Sequence, residues 1–300
     1  MKKLVTLVSL MALAALVLSA CGGGGSGADN LLDDIKARGY ILVSTDPNYE
    51  PQSFLNTDGK RPADTACPSD ALTTAEMQGF DVDVAIAVGE GLGVETCFAT
   101  PNWDVITAGN WADSWDVSIG SMTITTARQQ ILDFSVPYYY TPAVIAVPAD
   151  AEYASLDDLA GMALCVGAST TYEVWLDQGD MGIPESSIYA QPPAGITIVP
   201  LDTDQECAQA LAAGREDFAG YVTSQTVVNA NIAAGLPVKQ LGKPVFSEDL
   251  APSYDKASTL PTDSLRAAID DIITGMHNDG TLTSLSIKWF EEDITMDPTQ

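Results

Sequence analysis

From Asp29 onward the apolar positions fall by turns into helical and strand-like groups. Leu31, Leu32 and Ile35 form a short helical stripe that Asn30 can cap and Gly39 can end. Tyr40 to Thr45 follows as a buried strand, with Ile41, Leu42 and Val43 in continuous array. Phe80, Val84, Val88 and Leu92 recur at every fourth position, which predicts an amphipathic helix between Gly79 and Gly93. Val117 to Ile119, Val144 to Val147 and Ala163 to Val166 read as further strands. Glu206 to Ala213 reads as a helix closed by Gly214, and Leu265, Ile269, Ile272, Ile273 and Met276 mark a long helix starting near Pro261. Residues 56–78 are polar and irregular and read as a loop insertion. This succession predicts an α/β protein with mostly parallel sheets.

The first twenty residues follow a different rule. Met1-Lys2-Lys3 precedes an apolar run from Leu4 to Leu18, then Ser19-Ala20 and Cys21, which is the layout of an export signal. Leu18-Ser19-Ala20-Cys21 resembles the lipobox of bacterial lipoproteins, in which the cysteine becomes the lipid-modified first residue of the mature chain; an ordinary secretory signal is the alternative. The expectation is a lipoprotein signal peptide over 1–20, lipidation at Cys21 and a flexible tether over 21–28, where Gly22 to Gly27 carries almost no side chains to pack. No later apolar run is long enough to span a bilayer, so membrane attachment is expected through the lipid anchor only.

Charge narrows the partners. The chain has 13 Lys and Arg against 41 Asp and Glu. Without Lys2 and Lys3 this leaves 11 against 41, a net of −30. Nucleic acid is excluded as a general partner, since phosphate binding needs clustered cations. Five Trp, ten Tyr and seven Phe in a 46% apolar chain argue for a packed core. The single histidine, His277, leaves imidazole metal clusters impossible, and no cofactor or metal is expected. Export makes Cys67, Cys97, Cys165 and Cys207 candidates for disulfides, with three pairings open.

Candidate chemistry concentrates after predicted strands. In Gly120 to Gln129, a buried strand runs into hydroxylated residues, and Thr126-Ala127-Arg128-Gln129 fits a capping box that opens a helix with Arg128 in its first turn. A cation there is disfavoured by the helix dipole and calls for an anion, so Arg128, the Thr123 hydroxyl and backbone N–H groups make a carboxylate-sized site. Asp46 and Tyr49 follow the first strand, where ligands of open α/β sheets bind. Ala168-Ser169-Thr170-Thr171 follows a later strand, and Trp103, taken alone, reads as core.

Seven motifs then occur in order: Thr45-Asp46-x-x-Tyr49-x-Pro51, Gly79-Phe80-Asp81-Val82-Asp83-Val84-Ala85, Trp103-Asp104, Ser121-Met122-Thr123-Ile124-Thr125 with Arg128, Asp133-Phe134-Ser135-x-Pro137-Tyr138, Ala213-Gly214-Arg215-x-Asp217, and Asp279-Gly280-Thr281 with Lys288-Trp289-Phe290. From about Asp29 to Thr295 the chain resembles the family 3 extracellular solute-binding proteins, the polar-amino-acid receptors of ABC importers. The resemblance implies a two-lobed periplasmic-binding-protein fold of type II with two hinge crossovers, lobe 1 at 29–140 plus 247–300 and lobe 2 at 141–246. It implies an extracytoplasmic, lipid-anchored, monomeric receptor that closes on a small polar solute, most simply an amino acid, and meets ABC permease subunits. With these lobes and the sequence order, Cys67 pairs with Cys97 and Cys165 with Cys207.

By the same resemblance Arg128 clamps the ligand α-carboxylate, helped by Thr123 and donors around Ser121. Thr170, with Ser169 beside it, adds a donor from lobe 2, and Tyr49 and Trp103 sandwich the ligand side chain, which reverses the core reading of Trp103. Asp46 can meet a polar or cationic ligand end. One departure stands out. Many relatives place an ammonium-binding aspartate five residues after the Asp of Gly-Arg-x-Asp, where this chain has Val222, followed by Thr223 and Ser224. Either Thr223, Ser224, Asp46 or Glu50 takes over, or the ligand is not an ordinary α-amino acid. The net charge favours zwitterions or cations over anions such as glutamate. The competing functions are a periplasmic dehydratase of the cyclohexadienyl or arogenate type, for which Glu50 and Glu173 are the candidate acids or bases, and a sensory ligand-binding domain.

Overall fold

A computed structural model describes residues 27–298. The expected signal segment 1–20, lipidation at Cys21 and residues 22–26 of the tether lie outside the described residues. Among the described residues no helix is long and apolar enough to cross a membrane.

Two sheets organise the chain. In the first, the strand order is Leu72–Thr73, Glu95–Ala99, Tyr40–Ser44, Val117–Ser118, Ser253–Asp255 and Leu132–Phe134. Tyr40–Ser44 runs parallel to both its neighbours, while Ser253–Asp255 runs antiparallel to the strands beside it. In the second, the order is Thr197–Leu201, Ala163–Gly167, Gly220–Ser224, Tyr139–Pro148 and Val238–Leu250. Its first three strands are parallel and its last two antiparallel. Tyr139–Pro148 leaves the first lobe for the second and Val238–Leu250 returns beside it, paired from Leu250↔Tyr139 to Val238↔Pro148. These two strands are the crossovers.

The helices follow their sequence signals. Leu31–Arg38 is capped by Asn30, whose side chain accepts from the Asp33 N–H at 3.0 Å, and ends at Gly39. Phe80–Leu92 lies between Gly79 and Gly93 and buries Phe80, Val84 and Val88 against Ile41 and Val43 of the first sheet. The long C-terminal helix, Asp263–Asp279, adds Leu265, Ile269 and Ile273 to that core, and a further helix, Thr281–Phe290, packs beside it. The second lobe is buried on both faces of its sheet. Ile145, Val166 and Val222 face one cluster with Trp175 and Phe246, and Val144, Cys165 and Tyr221 face another with Leu211 and Val228. Burial on both faces is why these strands read as continuous apolar runs.

Three expectations change. The sheets are mixed and not mostly parallel, because the two crossovers, Ser253–Asp255 and Leu72–Thr73 run antiparallel to the strands they pair with. Residues 56–78 are not a bare loop: Leu72–Thr73 extends the first sheet, Met77–Gln78 joins a small three-stranded sheet, and the Arg61 guanidinium donates to the carbonyls of Ala71, Cys67 and Pro68. Arg128 does not open an α-helix. It starts a three-residue 3-10 turn, Arg128–Gln130, and the hydroxyl that accepts its N–H, at 3.1 Å, belongs to Thr125 and not Thr126. So short a turn supplies little dipole, and the helix-terminus argument for an anion falls away. The disulfides join Cys67 to Cys97 and Cys165 to Cys207, as the lobe assignment predicts.

Candidate functional site between the lobes

The carboxyl ends of the parallel strands in both sheets point at one cavity. Asp46 and Tyr49 reach it from the segment after Tyr40–Ser44, and Trp103 from the start of a short helix. Ser121, Thr123 and Arg128 arrive from the segment after Val117–Ser118. The second lobe contributes Thr170, Thr171 and Tyr172 after Ala163–Gly167, and Asp204 at the first turn of Asp204–Ala212; the return crossover contributes Glu248. Seven of the nine residues expected from the sequence line this cavity. Ser169 and Thr223 do not, although each touches it through a neighbour.

Arg128 bridges the lobes. Its Nη1 donates to the Thr123 carbonyl at 3.1 Å and its Nη2 to the Ser169 carbonyl at 3.3 Å. The Trp103 ring lies 5.6 Å from the guanidinium carbon, a cation–π arrangement. Burial brings the guanidinium pKa down to about 10, countered by the nearby Glu248 charge, so Arg128 stays a cation at physiological pH. Two of its five N–H donors are used by these carbonyls.

Glu248 holds a more central place than any sequence signal suggested. It is 2% exposed and accepts hydrogen bonds from Thr123 Oγ1 and Tyr172 OH, each at 2.7 Å, and from Thr171 Oγ1. Thr123 belongs to the first lobe and Thr171 and Tyr172 to the second, so one carboxylate stitches both lobes to the crossover. Burial raises its pKa, against the pull of the three hydroxyls and Arg128. Because Tyr172 donates to Glu248, the 3.2 Å contact between the Tyr49 and Tyr172 hydroxyls has Tyr49 as donor. Further inter-lobe bonds run from Gln52 Nε2 to Thr226 Oγ1 at 2.6 Å and from the Thr126 N–H to the Gly182 carbonyl at 2.9 Å. The lobes are closed.

Several expected donors are already engaged. The Ser121 N–H donates to Tyr138 OH at 2.9 Å and its hydroxyl to Asp81 at 2.7 Å, within the first lobe. Desolvation pushes the Asp81 carboxyl up to about 7, although the hydroxyls of Ser121 and Tyr138 lower it. The Thr170 hydroxyl caps the helix Thr171–Leu176 by accepting from the Glu173 N–H, and donates to the Gly167 carbonyl. Val222 is fully buried in the second-lobe core and faces no ligand. Thr223, on the opposite face of that strand, donates to Asp204 at 2.7 Å, and the Gly167 N–H donates to the other Asp204 oxygen at 2.9 Å. Burial raises Asp204 to about 7 despite these two donors, with Asp46 and Glu248 adding to the rise. Glu50 and Glu173 are not among the residues lining the cavity.

Two α/β lobes, two antiparallel crossovers and a polar cavity closed between the lobes define a solute-binding protein that operates by hinge motion. The chain belongs to the bacterial extracellular solute-binding proteins, family 3, whose family model matches residues 41–292. It is 30% identical over 293 residues to the L-cystine-binding protein TcyJ of Escherichia coli, with 96% of each chain covered. It is 28% identical over 302 residues to the probable amino-acid-binding protein YxeM of Bacillus subtilis, covering 99% of this chain and 98% of that one. Among solved structures, a mutant of ArgBP from T. maritima superposes with a TM-score of 0.69 at 25% identity, covering 87% of this chain and 99% of that one. The ancestral amino-acid-binding protein AncCDT-1, a precursor of cyclohexadienyl dehydratase, gives 0.69 at 26% identity, covering 86% and 99%.

Proposed function

We propose that this chain captures an amino acid or closely related small polar solute between its lobes, outside the cytoplasm, and presents it to the permease of an ABC importer. The observation that supports this most is the inter-lobe position of Arg128, beside Trp103 in a closed cavity, with guanidinium donors not taken by the protein. In this reading the lobes are 29–140 plus 247–300 and 141–246, Arg128 meets the ligand carboxylate, and Trp103 and Tyr49 pack on the ligand side chain. The mature protein is a monomer held to the membrane by a lipid on Cys21 through the tether 21–28. It releases its ligand unchanged; Glu50 and Glu173, the acids or bases expected of a dehydratase, do not line the cavity.

A thermal-shift screen of the mature protein against L-amino acids tests this reading. A ligand at 100 times its Kd stabilises the folded form by about 2.7 kcal/mol, and Arg128→Ala removes the shift. Stabilisation only by solutes that bear no carboxylate would remove Arg128 from the role given to it.

A further inference from the structure

The cavity is unbalanced in charge. Among the described residues that line it, Arg128 is the one guanidinium or ammonium group, against the carboxylates of Asp46, Asp202, Asp204 and Glu248, of which Asp202 is exposed to solvent. Glu248 is accounted for by three hydroxyl donors and the charge of Arg128. Asp46 and Asp204 have no such account. Asp46 accepts the Asn48 N–H at 2.8 Å, Asp204 accepts the Gly167 N–H and the Thr223 hydroxyl, and neither joins an ion pair among the described residues. They approach from opposite lobes, so closing the cleft brings two carboxylates toward each other out of water. Like charges in such a place oppose closure unless a cation sits between them.

Asp204 is also held in a way that leaves acceptor capacity. Each of its oxygens has one donor, so each keeps a lone pair for another. A methyl group on Gly167 would lie 2.4 Å from Asp204 Oδ1, so the bare backbone there is what lets an N–H reach the carboxylate. On the same cavity wall as Asp46, the indole N–H of Trp103 is shielded from solvent with no partner among the described residues, a donor still free to meet a ligand.

We infer that the cavity takes the primary ammonium group of its ligand between Asp46 and Asp204, with Asp204, set by Gly167 and Thr223, as the residue that selects for it. This deepens the receptor reading above and rests on it. The ligand class is then a solute with a primary ammonium and no excess of negative charge: a zwitterionic or basic amino acid, not a dicarboxylate.

Titration calorimetry on the intact mature protein tests this with L-lysine, L-arginine and L-glutamine, their counterparts acetylated at every amine (Nα, and for lysine Nε as well), and L-glutamate. At least one of the first three should bind, and its acetylated form should bind far more weakly. Asp204→Asn, which keeps the shape, should weaken that binding about 10- to 100-fold, the effect of losing a hydrogen bond to a charged group. Thr223→Val, which leaves the carboxylate but removes its support, should weaken it less, and circular dichroism should show both variants folded. Wild-type affinity in folded Asp204→Asn would overturn the inference, as would equal binding of free and acetylated compounds or failure of all three ammonium-bearing compounds to bind. Binding of acetylated or purely anionic solutes in their place would leave the receptor reading standing while this assignment falls.

Discussion

Truncating Glu248 tests whether the crossover carboxylate holds the lobes together. In Glu248→Ala, Thr123, Thr171 and Tyr172 lose their shared acceptor, and Arg128 loses the negative charge nearest to it. Leaving these three donors without an acceptor costs about 1–3 kcal/mol each, about 3–9 kcal/mol together. Against this stands the desolvation of Glu248 itself, the largest cause of its raised pKa, which truncation relieves. The net expectation is a loss of about 3 kcal/mol, near the lower end of that range. At about 2–4 °C per kcal/mol for a protein of this size, the melting temperature falls by about 6–12 °C. Differential scanning calorimetry at neutral pH, without added ligand, measures this directly. Glu248→Gln keeps the shape and one acceptor oxygen, and should lose roughly half as much. An alanine variant that melts at or above the wild type would refute the reasoning, because the buried carboxylate would then cost more than its three donors return.

Other perturbations act on separate parts of the account. Asp81 and Asp204 are raised to about 7 and Asp116 to about 6, so the folded chain keeps protons that the unfolded chain gives up at about pH 4. Their stabilisation is full below that pH and is lost as pH rises toward 7; melts should therefore show a lower melting temperature at pH 8 than at pH 5, and a rise over that range would contradict the assignment. At Gly182, where φ is +63°, an added methyl would lie 2.4 Å from Thr126 Oγ1 and 2.8 Å from the Thr126 N–H across the lobes. Gly182→Ala should hold the lobes apart, increasing the radius of gyration in small-angle scattering and weakening ligand binding about tenfold; unchanged scattering and affinity would count against a closure contact there. Replacing Cys165 and Cys207 by serine opens a loop of 42 residues and should lower stability by about 4 kcal/mol on the chain-entropy relation, measured as a lower urea midpoint that reducing agent no longer shifts.

Much of this architecture is legible in the residues because local rules and tertiary packing agree. Asn30 and Gly39 mark the ends of Leu31–Arg38 by capping chemistry, and the four-residue recurrence from Phe80 to Leu92 matches the face that is buried. Where a local rule competes with a long-range contact, the sequence misleads. Thr126 looks like a cap for Arg128, but its N–H is drawn to the Gly182 carbonyl in the other lobe, and Thr125 serves instead. Asp204 and Glu248 escape notice for a related reason. An aspartate at the first turn of a helix after Thr203 is ordinary capping chemistry, and Glu248 sits 125 positions from Thr123, which only the return crossover brings beside it. The signal that could have found Glu248 is an acid inside an otherwise buried strand, Val245-Phe246-Ser247-Glu248. Counting to Val222 is a register problem: alternate residues of Gly220–Ser224 face opposite sides, so Val222 meets the core while Thr223 reaches Asp204.

In the binding mode proposed above, one small ammonium-bearing solute is held between the lobes by Arg128 on one side and Asp46 with Asp204 on the other. A crystal structure of the mature protein with the amino acid that gives the largest thermal shift tests it most directly. The account predicts the ligand enclosed between the lobes, its carboxylate within hydrogen-bond reach of the Arg128 guanidinium and its ammonium within reach of Asp46 and Asp204. A ligand bound outside this cavity, or inside it with its ammonium turned away from both aspartates, would contradict it.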